Sequence, residues 1–111
     1  MLNERSAGVI IFRRTDVDKQ YLLLHYESGH WDFVKGGIES GEEELDTVKR
    51  ETEEETCITD LKFIDGFREV IEYFYRKENQ LISKEVIFYL AETKEEHIRL
   101  SHEHIGYVWL N

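Results

Sequence analysis

Three glutamates lie three and four positions apart in a strongly acidic segment of the chain. Glu51, Glu54 and Glu55 belong to the window 39–55, which holds nine carboxylates and two basic residues. On a helix that turns about 100° per residue, the three carboxylates fall within an arc of about 100° and share one side. Mg2+ prefers oxygen ligands and uses a few carboxylates together with water and substrate phosphate. The spacing therefore indicates a metal site, although a solvated acidic helix face has the same pattern.

The element that must position these carboxylates can be predicted from the hydrophobic periodicity. Ser40 followed by Glu43 fits a capping box, and apolar side chains then repeat at helical spacing. These signals predict a helix from about Gly41 to about Thr56. The stripe expected to face the core consists of Leu45, Val48 and Thr52.

Short runs rich in strand-forming residues lie on both sides of the predicted helix. "AGVIIF" (7–12) and "YLLLHY" (21–26) are separated by a polar turn and predict a hairpin. Beyond the helix, "LKFIDGFREVIEYFY", "EVIFYLAET" and "IGYVWL" predict further strands. Two strands, a helix and then mostly strands indicate an α+β fold.

The composition limits the classes of protein that the chain can represent. A length of 111 residues fits one domain over 1–111. The net charge is -10, of which -7 lies in the window 39–55, so a phosphorylated substrate is expected to bind with metal. Cys57 is the only cysteine, which suits a reducing compartment. With no apolar run long enough for a membrane span and no signal peptide pattern, we expect a cytoplasmic protein without a membrane partner.

The glycines before the predicted helix complete a longer motif. The pattern G-x5-E-x7-R-E-U-x-E-E-x-G-U, where U is a bulky aliphatic residue, is the Nudix box, and the chain resembles the Nudix hydrolases over this segment. The matching residues are Gly36, Glu42, Arg50, Glu51, Glu54, Glu55 and Ile58. Thr52 and Cys57 depart from the pattern. Cys57 replaces the glycine that ends the helix, which costs about 1 to 2 kcal/mol if the backbone there is left-handed.

Residues outside the box resemble one branch of this family, the asymmetrical diadenosine tetraphosphate hydrolases. The resemblance lies in "GVIIFRR", "YLLLHY", "HW" before "KGG", "IDGF" and "IRLSHEHIGYVWL". It implies an α/β/α Nudix sandwich around a mixed sheet, here lacking the usual C-terminal helix. Without that helix we expect either a homodimer that covers a partly bare sheet face or a more open cleft.

The same resemblance implies a reaction and its participants. Such enzymes cleave a dinucleoside tetraphosphate (Ap4A) to ATP and AMP by in-line attack of water, with Mg2+, or Mn2+ as a substitute. The implied catalytic residues are Glu54, Glu55, Glu103 and Arg50, with Glu42 in support. The implied metal-site residues are Glu51, Glu54, Glu55, Glu103 and Gly36. The general base is either Glu55 or Glu103.

The resemblance also indicates how a nucleotide would bind. Tyr73 and Tyr107 are expected to form an aromatic clamp on an adenine, although tyrosines in alternating strands more often serve packing. The implied phosphate contacts are His30, Lys35 and Lys84. His102 and His104 flank Glu103, and we expect them to be solvated or bonded to backbone rather than to bind zinc.

Two other functions fit parts of the same sequence. "WDFVKGGIESGE" also resembles the RNA 5'-pyrophosphohydrolases of the family, but those enzymes need a basic track, and the chain outside the window 39–55 carries a net charge of -3. A Nudix-fold nucleotide-binding or regulatory module without catalysis is the alternative of another class. Such modules usually lose an acid of the box, whereas this chain retains all three helix carboxylates.

Overall fold

The computed structural model describes residues 2–111, which form a mixed β-sheet and one α-helix. The strands are β1 (Leu2–Arg14), β2 (Lys19–Tyr26), β3 (Trp31–Asp32), β4 (Val34–Gly37), β5 (Lys62–Phe63), β6 (Glu69–Lys77), β7 (Gln80–Glu92) and β8 (His104–Leu110). The helix α1 spans Glu44–Thr56. The α+β architecture expected from the sequence is confirmed, with a helix on one face of the sheet.

Two long strands form the centre of the sheet. β1 runs parallel to β7 along eleven residue pairs, from Leu2 opposite Ile82 to Phe12 opposite Glu92. The main path is β3-β2-β1-β7-β5, with β4 beside β1, β6 beside β7 and β8 beside β2. The predicted hairpin of β1 and β2 is confirmed by antiparallel pairing of Phe12 with Tyr21. This order brings β4, which precedes the helix, against the centre of the sheet.

The helix packs its buried face against β1 and β4. Val48 is fully buried and shares a core with Val9, Ile11 and Leu24. Of the predicted stripe, Val48 and Thr52 are buried, but Leu45 in the first helical turn is 37% exposed. The residues of the helix that are buried are Thr47, Val48, Thr52, Glu55 and Thr56. One carboxylate of the acidic trio is therefore packed among the core-facing side chains.

The helix begins three residues later than predicted, because the preceding segment forms a turn. Gly41 has φ 85°, in the left-handed region, and Glu42 donates its backbone N–H to the Glu39 carbonyl at 3.0 Å. Glu43 is the N-cap residue, and its N–H donates to Asp46 Oδ2 at 3.0 Å. The capping box predicted at Ser40 and Glu43 thus forms at Glu43 and Asp46 instead.

The helix ends at the position where the box pattern has glycine. Cys57 adopts φ 64° and ψ 13°, and its N–H donates to the Glu53 carbonyl. The backbone at Cys57 is therefore left-handed, which is the condition under which a β-carbon at this position has a steric cost.

Apolar surface is exposed on β6 rather than over the middle of the sheet. On the face opposite α1, Val86 and Phe88 of β7 are 1% and 7% exposed. β7 is therefore covered on this face, and the partly bare surface that we expected lies on β6 instead. In β6, by contrast, Val70, Ile71 and Phe74 are 46%, 50% and 55% exposed. None of the helical residues in 2–111 forms a segment long and apolar enough to cross a membrane.

Candidate active site

The side chain of Arg50 links the turn before helix α1 to strand β4, which contains Gly36 and Gly37. Its guanidinium donates to both Glu42 oxygens, Nε to Oε2 at 2.7 Å and Nη2 to Oε1 at 3.1 Å. It also donates to Glu51 Oε1 at 2.8 Å and to the Gly37 carbonyl at 3.1 Å. The hydrogen bond from Arg50 is the main reason why the pKa of Glu42 falls to about 2. Arg50 and Glu42 therefore fix where β4 meets the helix.

Gly36 leaves the space that the Glu51 carboxylate occupies. A β-carbon built at residue 36 would overlap the Glu51 carboxylate, whereas one built at Gly37 would meet no atom within 4 Å. Gly36 itself pairs with Ala7 of β1, so β4 cannot move aside without breaking the sheet. The requirement for glycine at this point of the motif is thus steric.

Glu55 is the most deeply buried member of the acidic trio. It is 5% exposed, and burial is the first cause that raises its pKa to about 8, followed by the charges of Glu51, Glu103 and Glu54. Burial also raises the pKa of Glu51, against the effect of Arg50. Within residues 2–111, Glu55 Oε2 has no hydrogen-bond partner. A buried carboxylate oxygen without a donor is suited to a cation.

A cleft of about 330 Å3 opens above these carboxylates. Its lining consists of Glu51, Glu54, Glu55, Ser101, His102 and Glu103. Across residues 2–111, no three acidic, histidine or cysteine side chains converge closely enough to enclose an ion by themselves. The donor set still fits Mg2+, because that ion keeps several waters and completes its shell with substrate phosphate. The four glutamates that we expected to bind metal therefore line one cleft.

The segment 101–104 holds Glu103 beside the helix. The Ser101 N–H donates to the Glu55 carbonyl at 3.3 Å, and the His104 N–H donates to the Ser101 carbonyl at 3.2 Å. Glu103 is exposed at the rim of the cleft, whereas His104 is 6% exposed and its Nε2 lies 3.3 Å from Glu55 Oε1. The expectation that His104 is solvated or bonded to backbone is wrong for its side chain. Sequence reasoning missed this residue, since only its pairing across the fold brings it to Glu55.

The residues expected to contact phosphate are engaged with other side chains of the protein. Lys35 Nζ lies 3.0 Å from Asp32 Oδ2, and Lys84 Nζ lies 3.8 Å from Glu4 Oε1. His30 stacks on Tyr26, with ring centroids 4.8 Å apart. Tyr26 also meets His104 edge-on at 4.4 Å, which connects His30 to the side of the carboxylate cleft. A phosphate group at either lysine would compete with a carboxylate.

The structure does not bring Tyr73 and Tyr107 together. Tyr107 of β8 is opposite Leu24 on the helix-covered face, and Tyr73 of β6 is opposite Lys84 on the other face. β2, β1 and β7 also separate the two strands, which corresponds to about 19 Å across the sheet. The expected clamp on a single adenine is therefore not formed, because strand alternation and strand order place the rings apart.

An eight-stranded mixed sheet, one helix rich in carboxylates and a glycine strand against Glu51 define a Nudix domain. The NUDIX domain family matches residues 2–111, and the chain belongs to the Nudix family.

Individual proteins are similar over most of the chain. The Mus musculus protein named bis(5'-nucleosyl)-tetraphosphatase [asymmetrical] is 42% identical over 118 residues, covering 96% of this chain and 78% of the relative. The crystal structure of a C. elegans Ap4A hydrolase binary complex superposes with a TM-score of 0.77 at 29% identity, covering 96% of this chain and 79% of that one. The E. coli dihydroneopterin triphosphate pyrophosphohydrolase has a TM-score of 0.80 at 22% identity, covering 99% and 83%, and shows the shared fold.

Proposed function

We propose that the protein is a Nudix pyrophosphohydrolase that cleaves a nucleoside polyphosphate, with Ap4A as substrate and ATP and AMP as products. The buried Glu55 oxygen without a donor, at the base of a cleft lined by carboxylates, carries this proposal. Similarity to the asymmetrical tetraphosphatase of Mus musculus over 96% of the chain supports the choice of substrate.

The proposed cofactor is Mg2+, with Mn2+ as a substitute. Glu51, Glu54, Glu55 and Glu103 would hold it, with Gly36 allowing Glu51 to approach. When bound, such an ion neutralises phosphate oxygens and lowers the pKa of water. Its charge also makes the ionised form of Glu55 favourable despite burial.

The chain's own residues supply orientation and a proton acceptor. Arg50 and Glu42 hold Glu51 and the glycine strand in place. Either Glu55 or Glu103 accepts a proton from the attacking water, and these two carboxylates line the same cleft. His30, Lys35 and Lys84 would contact phosphates after the lysines exchange their carboxylate partners. Because Tyr73 and Tyr107 lie on different faces, each would stack on a base separately.

The test of the proposed reaction compares three glutamate variants of the helix. Ap4A is incubated with Mg2+, and the products are identified by mass. Glu55→Gln and Glu54→Gln are each expected to reduce turnover on the order of 10³-fold, because each removes a cation ligand. Glu53→Gln is the matched control, since Glu53 is exposed and lies outside the cleft. Activity of Glu55→Gln equal to that of the Glu53→Gln control would refute the assignment.

A second substrate separates the proposal from RNA end processing. Ap4A turnover is compared with turnover of a triphosphorylated oligonucleotide at the same concentration. We expect Ap4A to be preferred, because the negative surface of the protein repels an RNA backbone. Preference for the oligonucleotide would instead favour an RNA 5'-pyrophosphohydrolase. Absence of turnover with both substrates, while nucleotide still binds, would favour an inactive module.

We propose that the protein acts in the cytoplasm as a homodimer formed through β6. Among residues 2–111, β6 pairs with β7 on one edge only, and it exposes Val70, Ile71 and Phe74. Antiparallel pairing of two copies centred on residue 73 would place Glu69 opposite Lys77 of the second copy. Sedimentation of Glu69→Lys should show weaker association, and adding Lys77→Glu should restore it. A monomer for the unaltered protein at every concentration would exclude the dimer.

A reducing compartment suits the exposed thiol of Cys57.

A further inference from the structure

We propose that His104 is a positioning residue, which contacts one oxygen of Glu55 so that the other oxygen is presented to a cation. This inference rests on the proposed function, because it concerns the carboxylate at the base of the cleft. His104 is not among the residues that line the cleft. Its effect would be transmitted through Glu55.

The imidazole ring of His104 is enclosed on all sides by the protein. Its side chain is 0% exposed, and Tyr26 meets it edge-on with centroids 4.4 Å apart. Nδ1 lies 3.2 Å from Ser101 Oγ, and Nε2 lies 3.3 Å from Glu55 Oε1. Two contacts on opposite sides of the ring therefore link the loop serine to the buried carboxylate.

In the proposed arrangement, the Ser101 hydroxyl donates to His104 Nδ1. Ser101 Oγ lies 3.2 Å from Nδ1 and also accepts the backbone N–H of Glu103 at 3.4 Å, which leaves its hydroxyl hydrogen free to point to Nδ1. Nδ1 then acts as the acceptor, and the single ring hydrogen of a neutral imidazole is on Nε2. The ring hydrogen thus lies on the side of Glu55.

The contact with Glu55 is near hydrogen-bond length but is not aligned. His104 Nε2 has no hydrogen-bond partner within residues 2–111, and neither has Glu55 Oε2. Two buried polar atoms of one site therefore lack partners among residues 2–111. A small rotation of the carboxylate would align Oε1 with the Nε2 hydrogen and turn Oε2 towards a cation, which satisfies both atoms.

Ser101 also connects the loop carboxylate Glu103 to this arrangement. Ser101 accepts a hydrogen bond from Glu103 and contacts His104, and its backbone N–H reaches the Glu55 carbonyl. Glu103 and Glu55 are thus held in one hydrogen-bonded unit although they belong to a loop and a helix.

Two substitutions at residue 104 separate positioning from packing. In His104→Gln the terminal amide nitrogen takes the place of Nε2, so the donor to Glu55 is retained. In His104→Asn the shorter amide keeps the contact with Ser101 and loses Glu55. Mn2+ affinity, measured by electron paramagnetic resonance without substrate, should fall about 10- to 100-fold in His104→Asn and change less than about threefold in His104→Gln. His97→Asn is the matched control at an exposed histidine.

The outcomes distinguish this inference from the proposed function. If the unaltered protein binds Mn2+ and His104→Asn binds it equally well, the positioning role is refuted while the metal site stands. If the unaltered protein binds no Mn2+, the metal-dependent function is refuted and this inference with it. Equal losses in the Gln and Asn variants would mean that ring packing alone matters, which also refutes the positioning role.

A measurement on the unaltered protein keeps the inference testable if the variants do not fold. Long-range proton–nitrogen spectra of histidine labelled with 15N assign the tautomer of each ring. We expect His104 to carry its hydrogen on Nε2 without metal, and its Nε2 resonance to shift when Mg2+ is added. A hydrogen on Nδ1, or an Nε2 resonance that Mg2+ leaves unchanged, would overturn the proposal.

Discussion

The carboxylates at the two ends of helix α1 have pKa values that are shifted in opposite directions. Glu42, just before the helix, accepts hydrogen bonds from Arg50, and Glu44 in the first turn accepts them from Arg68. These hydrogen bonds lower the pKa of each glutamate to about 2. In the last turn, Glu55 has no ion pair with an arginine among residues 2–111, and its pKa rises to about 8, chiefly through burial. The same residue type is therefore stabilised as an ion at one end and destabilised at the other.

This contrast separates acids that hold the fold from acids prepared for a ligand. Glu44 accepts hydrogen bonds from Arg68 and from the Tyr89 hydroxyl, so the protein already satisfies its charge. Glu55 contacts His104, and one of its oxygens has no donor in residues 2–111. A bound cation would stabilise the negative charge of Glu55, as the arginines stabilise the charges of Glu42 and Glu44. Perturbing each end should therefore have a different readout.

A large effect on activity is expected from Gly36→Ala. The added methyl group would overlap the Glu51 carboxylate, which must then move away from the cleft. Because a displacement of about 1 Å can cost on the order of 10²-fold in rate, we expect turnover of Ap4A to fall by about that factor. Gly37→Ala is the matched control, since its β-carbon would meet nothing within 4 Å. Equal activities of the two variants would show that the position of Glu51 is unimportant.

A smaller effect, on stability, is expected from Arg50→Lys. Lysine retains the charge but cannot donate simultaneously to both Glu42 oxygens, Glu51 and the Gly37 carbonyl. We expect the melting temperature, followed by circular dichroism, to fall by about 5 to 10 °C. Arg68→Lys provides the comparison, because Arg68 is 48% exposed and Glu44 also contacts Arg5. Its melting temperature should change by less than about 3 °C.

Some features of the fold and of the candidate site could be predicted from the sequence, and others could not. The hairpin, the helix and the acidic side follow from local periodicity, and the box motif predicts the Arg50 and Gly36 positions. The burial of Glu55 could not be read from spacing, since an exposed helix face has the same pattern. His104 reaches Glu55 only because β8 pairs with β2, a contact between distant parts of the chain. The separation of Tyr73 from Tyr107 likewise depends on strand order, which local patterns leave open.

The pH dependence of stability should differ between the two ends of the helix. Glu55 has a pKa raised from 4.5 to about 8, so its contribution is present below pH 4.5 and is lost as the pH rises through about 8. Glu42 has a pKa lowered to about 2, so its contribution is present above pH 4.5 and is lost as the pH falls through about 2. In EDTA, Glu55→Gln should therefore melt several degrees above the unaltered protein at alkaline pH and near it at pH 5. The Glu53→Gln control should follow the unaltered protein throughout, and alkaline stabilisation in both variants would assign the effect to net charge.

The smallest effect is expected from Cys57→Gly at the end of the helix. Cys57 is held at φ 64°, where a β-carbon costs about 1 to 2 kcal/mol that glycine avoids. Glycine also gains freedom in the unfolded chain, which offsets about 0.4 to 1 kcal/mol. The net stabilisation should be about 0.5 to 1 kcal/mol in urea unfolding, and Cys57→Ala should show none, because it retains the β-carbon. Turnover should be unchanged, since Cys57 lies outside the cleft lining. A gain in stability accompanied by a loss of turnover would instead show that backbone strain at this end, like the unpaired Glu55, is part of the site.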